Sequence, residues 1–465
     1  MLRPLIAFAA GLALLVQPAL AQTAPDARAQ TAAELRDRAL KDPLAWEILE
    51  DLTTGIGPRP AGSPAMARAK DWAVREFERL GFTNIRVHEF AKPTWTRGEE
   101  SAAIVAPYSY RLSILGLGGT VPTPKGGIEA EVVVFGSFAE LLAAPEGSLK
   151  GKIAVVNQPM TKTVDGQGYS AAVRARSAGP IEAGKRGAVA YLVRSISTSD
   201  LNAPHTGMTR YSDAAPKIPA AALGVPDADL LQKLSRRGPV KVRINLASTT
   251  RTDTVAWNIS GDIVGSEKPE EVVVIGGHLD SWDVGTGAHD DGAGIAITTA
   301  AAKLIGDLPR HPRRTIRVVM WGSEETGGSG EAFLADNKDN LANLVVASES
   351  DLGGDRIYAL LLPKGAVDAP QLAALPALFA PLKIIISRDP APFGGADVTE
   401  IRDAGVPVFT LRQDATRYFD LHHSPDDTID KIDPVQLNQN VAAWAVLIYL
   451  IADSDIDFRA LREAK

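Results

Sequence analysis

Residues 271–306 read EVVVIGGHLDSWDVGTGAHDDGAGIAITTAAAKLIG. The run at 272–275 is apolar without interruption, which is how a strand buried on both faces reads. It ends in Gly276-Gly277, passes through a polar, glycine-rich loop, and at Gly292 gives way to an Ala-rich helical stretch that reaches Ile305. Strand, loop and helix in that order are the repeating unit of an α/β domain. Downstream, strands are predicted at 315–321, 344–347, 382–386 and 406–411, and helices at 330–337, 369–379, 398–404 and 434–451. Such a sheet carries parallel strands and is covered by helices on both faces.

Upstream, 22–32 is a polar, Ala-rich lead and 44–52 reads as a short helix. Ser63-Pro64 offers an N-cap and a proline at the first helical position, and the helix so begun stops at Gly81. Residues 84–90 alternate as a strand does. Between 110 and 249 the texture changes to short β-rich segments (131–135, 152–157, 188–192, 240–245) divided by Gly, Pro and Ser, with few long amphipathic helices. This predicts an inserted domain without a chemical motif of its own, flanked by 22–109 and 250–465.

The first 21 residues have the form of a signal peptide: Arg3, an apolar stretch at 5–16, and Ala19-Leu20-Ala21 before Gln22. That stretch falls short of the roughly 20 residues that cross a bilayer. The expected mature protein is therefore secreted or periplasmic and not membrane-bound. The apolar run at 441–452 is also too short and suits a buried C-terminal helix. A length of 465 residues suggests more than one domain, and 45% hydrophobic content supports a sizeable core. With no cysteine in the chain, thiolate ligands, thiol nucleophiles and disulfides are excluded. A net charge of −7, with both signs interspersed, argues against nucleic acid as a partner.

In open α/β sheets ligands bind beyond the carboxyl ends of the strands. There the sequence places His278-Leu279-Asp280, then Glu324-Glu325, then Glu349-Ser350-Asp351, and, after the strand at 406–411, a loop with His422-His423. Two neighbouring metal ions need about four donors each. With a shared carboxylate and a shared water, five protein ligands suffice, and His278, Asp290, Glu325, Asp351 and His423 supply them. Two Zn2+ ions against three carboxylates leave a charge that one hydroxide balances, so the site can be buried. Adjacent Glu324 and Glu325 imply a division of labour in which Glu325 binds metal and Glu324 is the catalytic base. Asp280 is placed to hold the ring N–H of His278. Four of the seven histidines fall in these segments. His88, His205 and His311 do not, and His289 is read as structural. Ser323 and Ser329 lack the strand–turn–helix pentad of a serine nucleophile.

The segments GGHLDSWDVG (276–285) and GAHDDGAG (287–294) resemble the M28 family of metallopeptidases. The resemblance implies an α/β zinc-exopeptidase (phosphorylase/hydrolase-like) mixed sheet interrupted by a β-rich protease-associated (PA) domain, to which 150–156, 187–190 and 218–221 are similar. It implies Asp290 as the bridging carboxylate, His278, Glu325, Asp351 and His423 as the other zinc ligands, Glu324 as general base, and a cis peptide at Asp290-Asp291. His422, Tyr418 and Asp397 are candidate substrate contacts. The implied activity is hydrolysis of dipeptides or short peptides with free termini. Aminopeptidase action is the alternative, and a non-catalytic binding protein and a one-zinc acyltransferase are more distant ones. Co2+ or Mn2+ can substitute at such donors, and a homodimer is the oligomeric state the family suggests.

Overall fold

The computed structural model describes residues 27–388 and 391–463, so the expected signal peptide at 1–21 lies outside the described residues. The strand Lys268–His278 runs parallel to Arg314–Trp321 on one side and to Leu344–Glu349 on the other. Val255–Ile263 and Thr83–Ala91 extend this sheet antiparallel, making it five-stranded and mixed. Successive side chains on a strand point to opposite faces. Accordingly Val273 and Ile275 enter one apolar cluster, with the helices Ala293–Gly306 and Pro434–Ala452, while Val272 and Val274 enter another, with Phe333, Val398 and Ile401. Both faces are thus covered. The three parallel strands deliver His278, Glu324-Glu325 and Asp351 to the same edge.

Ser63 accepts a hydrogen bond from the Met66 N–H, and Gly81 closes the helix Pro64–Leu80 in a left-handed conformation. The lead at 22–32 is a different matter, because a helix, Ala27–Ala39, occupies most of it. That helix buries only Ala32, Leu35 and Ala39, against Pro434–Ala452. Small alanines that pack closely give little apolar signal in sequence. Trp444 and its neighbours on Pro434–Ala452 are fully buried, so the apolar run at 441–452 is core. The helix expected at 369–379 is broken into turns at Ala366–Asp368 and Pro370–Leu372 before Leu375–Phe379. Pro370 and Pro376 lack the N–H that a continuous helix needs. The last strand is Thr410–Gln413, later than expected, and Val408 makes only a lone bridge to Ala347.

A second, eight-stranded sheet is built from chain between Glu100 and Leu246. It starts earlier than residue 110, because Glu100–Ala106 pairs antiparallel with Lys241–Leu246, a partner too distant in sequence to be read locally. Four of its strands, Ile128–Phe135, Ile153–Val156, Ala190–Arg194 and Ala220–Leu223, are parallel and alternate with helices that include Gln167–Ser177 and Val225–Ser235. The unit is therefore α/β rather than simply β-rich. Thr94–Thr96 and Thr249–Arg251 pair where the chain enters and leaves it.

Candidate metal centre

His278 is the last residue of its strand and fully buried. Its Nδ1 donates to the Asp280 carbonyl at 2.9 Å, which turns Nε2 toward Asp290 Oδ1 at 3.1 Å and Asp351 Oδ1 at 3.6 Å. His423 approaches the other oxygen of Asp290. Its Nδ1 faces the Thr206 carbonyl at 3.3 Å, and Nε2 lies 2.9 Å from Glu325 Oε2 and 3.2 Å from Asp290 Oδ2. Asp290 therefore presents one oxygen to each histidine. With Nδ1 protonated, each Nε2 carries a lone pair aimed at a carboxylate oxygen, which is repulsive unless the ring is charged or a cation lies between. Burial opposes the charged ring and lowers the pKa of His423, whereas at His278 burial is outweighed by the carboxylates of Asp280, Asp290 and Asp351, which hold the ring well above its ordinary value. Asp290 Oδ2 and Glu325 Oε1 are buried with no hydrogen-bond partner, as oxygens held for a cation are. The donors form two groups, His278/Asp290/Asp351 and Asp290/His422/His423, each with ligand atoms within 4.8 Å of one another.

Electrostatics agree. Burial, reinforced by neighbouring carboxylates, pushes Glu324, Glu325 and Glu349 well above the usual carboxylate range. Asp290 is the exception: despite its burial, the imidazoles of His278 and His423 beside it hold it well below that range. Several buried carboxylates around two imidazoles are a cation site in chemical character.

Glu324 and Glu325 follow the end of Arg314–Trp321 and make different contacts. Glu325 meets His423, while the Glu324 N–H donates to Asp280 Oδ1 at 2.9 Å and its side chain lines a cavity of about 830 Å³. Asp280 was expected to hold the His278 ring through its carboxylate, yet that contact is 3.6 Å and the ring N–H goes to the Asp280 carbonyl. The carboxylate instead fixes Glu324. His422 stacks on His423 at 3.5 Å between ring centroids, with Nε2 3.7 Å from Asp290 Oδ2. Tyr418 lines the cavity with its hydroxyl 3.5 Å from Asp351 Oδ1. Asp397 is buried behind the wall, bonded to the Ser329 hydroxyl, and its N–H donates to Glu349 Oε2 at 2.8 Å. Glu349, not Asp397, lines the cavity. His289 is buried, and burial lowers its pKa to about 4.

Several residues that hold this geometry carried no assigned role in the sequence. Asp291, completely buried, accepts from the His278 N–H at 3.0 Å and the Gly294 N–H at 2.9 Å, tying strand end to helix start. Its carboxylate lies so close that a Cβ on Gly277 would sit 2.4 Å from Oδ2. The peptide between Asp290 and Asp291 is cis. Asp427 accepts from the Ala288 and His289 N–H groups at 2.9 and 2.6 Å. Arg59, also fully buried, donates to the carbonyls of Leu279, Thr286 and Gly287 at 2.5, 2.6 and 3.0 Å. The inserted unit, expected to carry no chemistry, supplies Tyr169 and Arg176 to the cavity wall. Only the motif HSPDDT at 423–428 could have singled out Asp427 in advance; for Arg59, Tyr169 and Arg176 no local pattern exists.

The profile of peptidase family M28 matches residues 258–448. Carboxypeptidase Q of Mus musculus is 38% identical over 415 residues, which is 88% of this chain and 86% of the mouse protein. The chain belongs to peptidase family M28. It is accordingly a metallo-exopeptidase. The crystal structure of a peptidase M28 precursor from Shewanella amazonensis SB2B superposes with a TM-score of 0.90 at 40% identity, covering 93% of this chain and 98% of that one. A zinc aminopeptidase from Bacillus subtilis, BSAP, shares the fold at 17% identity, with a TM-score of 0.62 and coverage of 89% and 95%.

Proposed function

We propose that this protein is a two-zinc exopeptidase that hydrolyses dipeptides or short peptides with free termini. The observation that carries the reading is Asp290, whose two oxygens face two imidazoles 3.1 and 3.2 Å away. In this reading His278 and Asp351 would hold one ion, Glu325 and His423 the other, and Asp290 would serve both. Similarity to carboxypeptidase Q supports the substrate class. The zinc named for BSAP supports the metal, with Co2+ or Mn2+ as substitutes. Zinc, when bound, supplies Lewis acidity, polarising the peptide carbonyl and letting water lose a proton near neutral pH.

The rest belongs to the protein. Glu324, fixed through its N–H by Asp280, takes a proton from the attacking water on its carboxylate and returns it to the leaving amine. Tyr418 and His422 on the same wall contact the substrate. Asp280 and Asp291 keep strand end, base and loop in register. The inserted unit is read as a PA domain that closes one side of the cavity. Aminopeptidase action is the second reading, favoured by the buried carboxylate of Glu349 that lines the cavity, which suits a substrate ammonium. Glu324→Gln keeps the size of the side chain and removes the base. Turnover of a free dipeptide is expected to vanish with the zinc content unchanged, and retained turnover would eliminate Glu324 from its role.

A further inference from the structure

The two histidines of the centre are held from different parts of the molecule. His278 is supported within the peptidase domain, its N–H by Asp291 and its Nδ1 by the Asp280 carbonyl. His423 leans on the inserted unit. Its carbonyl accepts from the Thr206 N–H at 2.9 Å, and its Nδ1 faces the Thr206 carbonyl at 3.3 Å. With Nδ1 protonated, that carbonyl fixes the tautomer that leaves Nε2 free for a metal. His423 also has a φ of +61°, in the left-handed region where a residue with a Cβ persists only when its surroundings hold it.

The grip extends along the segment that carries this ligand. The Phe419 carbonyl accepts from the Ser197 hydroxyl at 2.9 Å and the Thr198 N–H at 3.2 Å. The Asp420 carboxylate accepts from the Thr198 hydroxyl at 2.6 Å and meets Lys162 at 2.7 Å, and His205 Nδ1 faces the His422 carbonyl at 2.5 Å. The strap 195–209 of the inserted unit thus spans the segment from Phe419 to His423. Arg97, at the ribbon where the chain enters that unit, ties the strap to the metal loop. Its Nε and Nη2 donate to the Asp283 carboxylate at 2.8 and 3.1 Å, and Nη2 also to the Thr206 hydroxyl at 3.2 Å. The Thr206 hydroxyl in turn donates to the Gly116 carbonyl at 2.8 Å.

We infer that docking of the inserted unit controls the affinity of the Glu325/His423 metal position, with Thr206 as the positioning residue, and leaves the His278/Asp351 position independent. This rests on the two-zinc reading above and deepens it by naming what regulates one of the two positions. Units of one chain move relative to one another unless a large apolar interface joins them. When the inserted unit moves off, Thr206 leaves with it, and His423 loses both the acceptor of its ring N–H and the bond to its carbonyl. Coupling of this kind is reciprocal: the factor by which docking raises zinc affinity is the factor by which zinc favours docking.

Hydrogen exchange across 195–209 and calorimetric zinc titration test this on the full chain. In wild type, two equivalents of zinc are expected to slow that exchange by about 10- to 100-fold, the scale on which partners behind a metal ligand act. Asp351→Ala keeps the Glu325/His423 position, and Glu325→Ala keeps the other. Zinc should slow the exchange in the first and not in the second; equal slowing in both would overturn the inference. Thr206→Val removes the hydroxyl that anchors the strap. It should weaken zinc binding by about 10- to 100-fold in the Asp351→Ala protein and leave binding by the Glu325→Ala protein unchanged, with Thr206→Ser restoring the affinity. Equal losses in the two backgrounds would make Thr206 a general structural residue and refute its role. If wild type takes up fewer than two equivalents, the two-zinc reading fails. If it takes up two and 195–209 exchanges as before, only the coupling to the inserted unit is refuted.

Discussion

Replacing Arg59 by lysine probes what keeps the metal loop in shape. The guanidinium is fully buried and spreads its donors over the carbonyls of Leu279, Thr286 and Gly287, at 2.5, 2.6 and 3.0 Å. Those residues bracket the loop between His278 and Asp290. Burial pulls its pKa down to about 10, against the pull of Asp427, Asp280, Asp291 and Asp290, so it stays charged at neutral pH. Lysine keeps the charge and the stem but offers a point donor instead of a fork, and it can reach one of these carbonyls. Two carbonyls are left buried without a donor, at about 1.5–3 kcal/mol for each lost charged hydrogen bond. A total near 3–6 kcal/mol follows, which overlaps the range for breaking a buried charged network. In thermal unfolding this is a fall of roughly 6–12 °C for the peptidase domain. Zinc binding by calorimetry should weaken as well, because His278 and Asp290 lose their common support. A variant that melts within about 2 °C of wild type and titrates with the same zinc affinity would refute the assignment of this loop to Arg59.

Chelation should remove activity and lower the melting temperature, and two equivalents of zinc per chain should restore both; restoration by one would contradict the shared role of Asp290. His205, buried in the inserted unit, faces the His422 carbonyl through Nδ1 at 2.5 Å, and burial lowers its pKa to about 4. A depressed histidine pKa stabilises the fold above the unfolded value of 6.5, and that stability is lost as pH falls from 6.5 through 4, by about 3 kcal/mol in all. Denaturant titrations of His205→Asn, whose amide can still donate to the carbonyl, should lack this pH dependence. An unchanged acid limb would show that His205 is not its source.

The parallel core was legible because its strands are unbroken apolar runs that end in His278, Glu324-Glu325 and Asp351, and burial on both faces leaves no other reading. The helix Ala27–Ala39 was not legible, since its buried face is mostly alanine and takes its meaning from Pro434–Ala452. The edge of the inserted sheet was hidden for a related reason: Glu100–Ala106 is a strand of that sheet only because Lys241–Leu246 lies beside it.

The sequence by itself determined the donor inventory. Without cysteine, a metal can meet only His, Asp and Glu, and the strand-end positions of these residues follow from hydrophobic pattern. Which atoms face which was decided by tertiary structure. Asp280 turned its carboxylate to Glu324 and its carbonyl to His278, and Glu349 took the place at the cavity wall expected of Asp397. Arg59, His205 and Arg176 reached the centre from far along the chain. Spacing along a strand fixes which edge a side chain reaches. The partner of a buried polar atom depends on everything that packs there, and that is a property of the assembled fold.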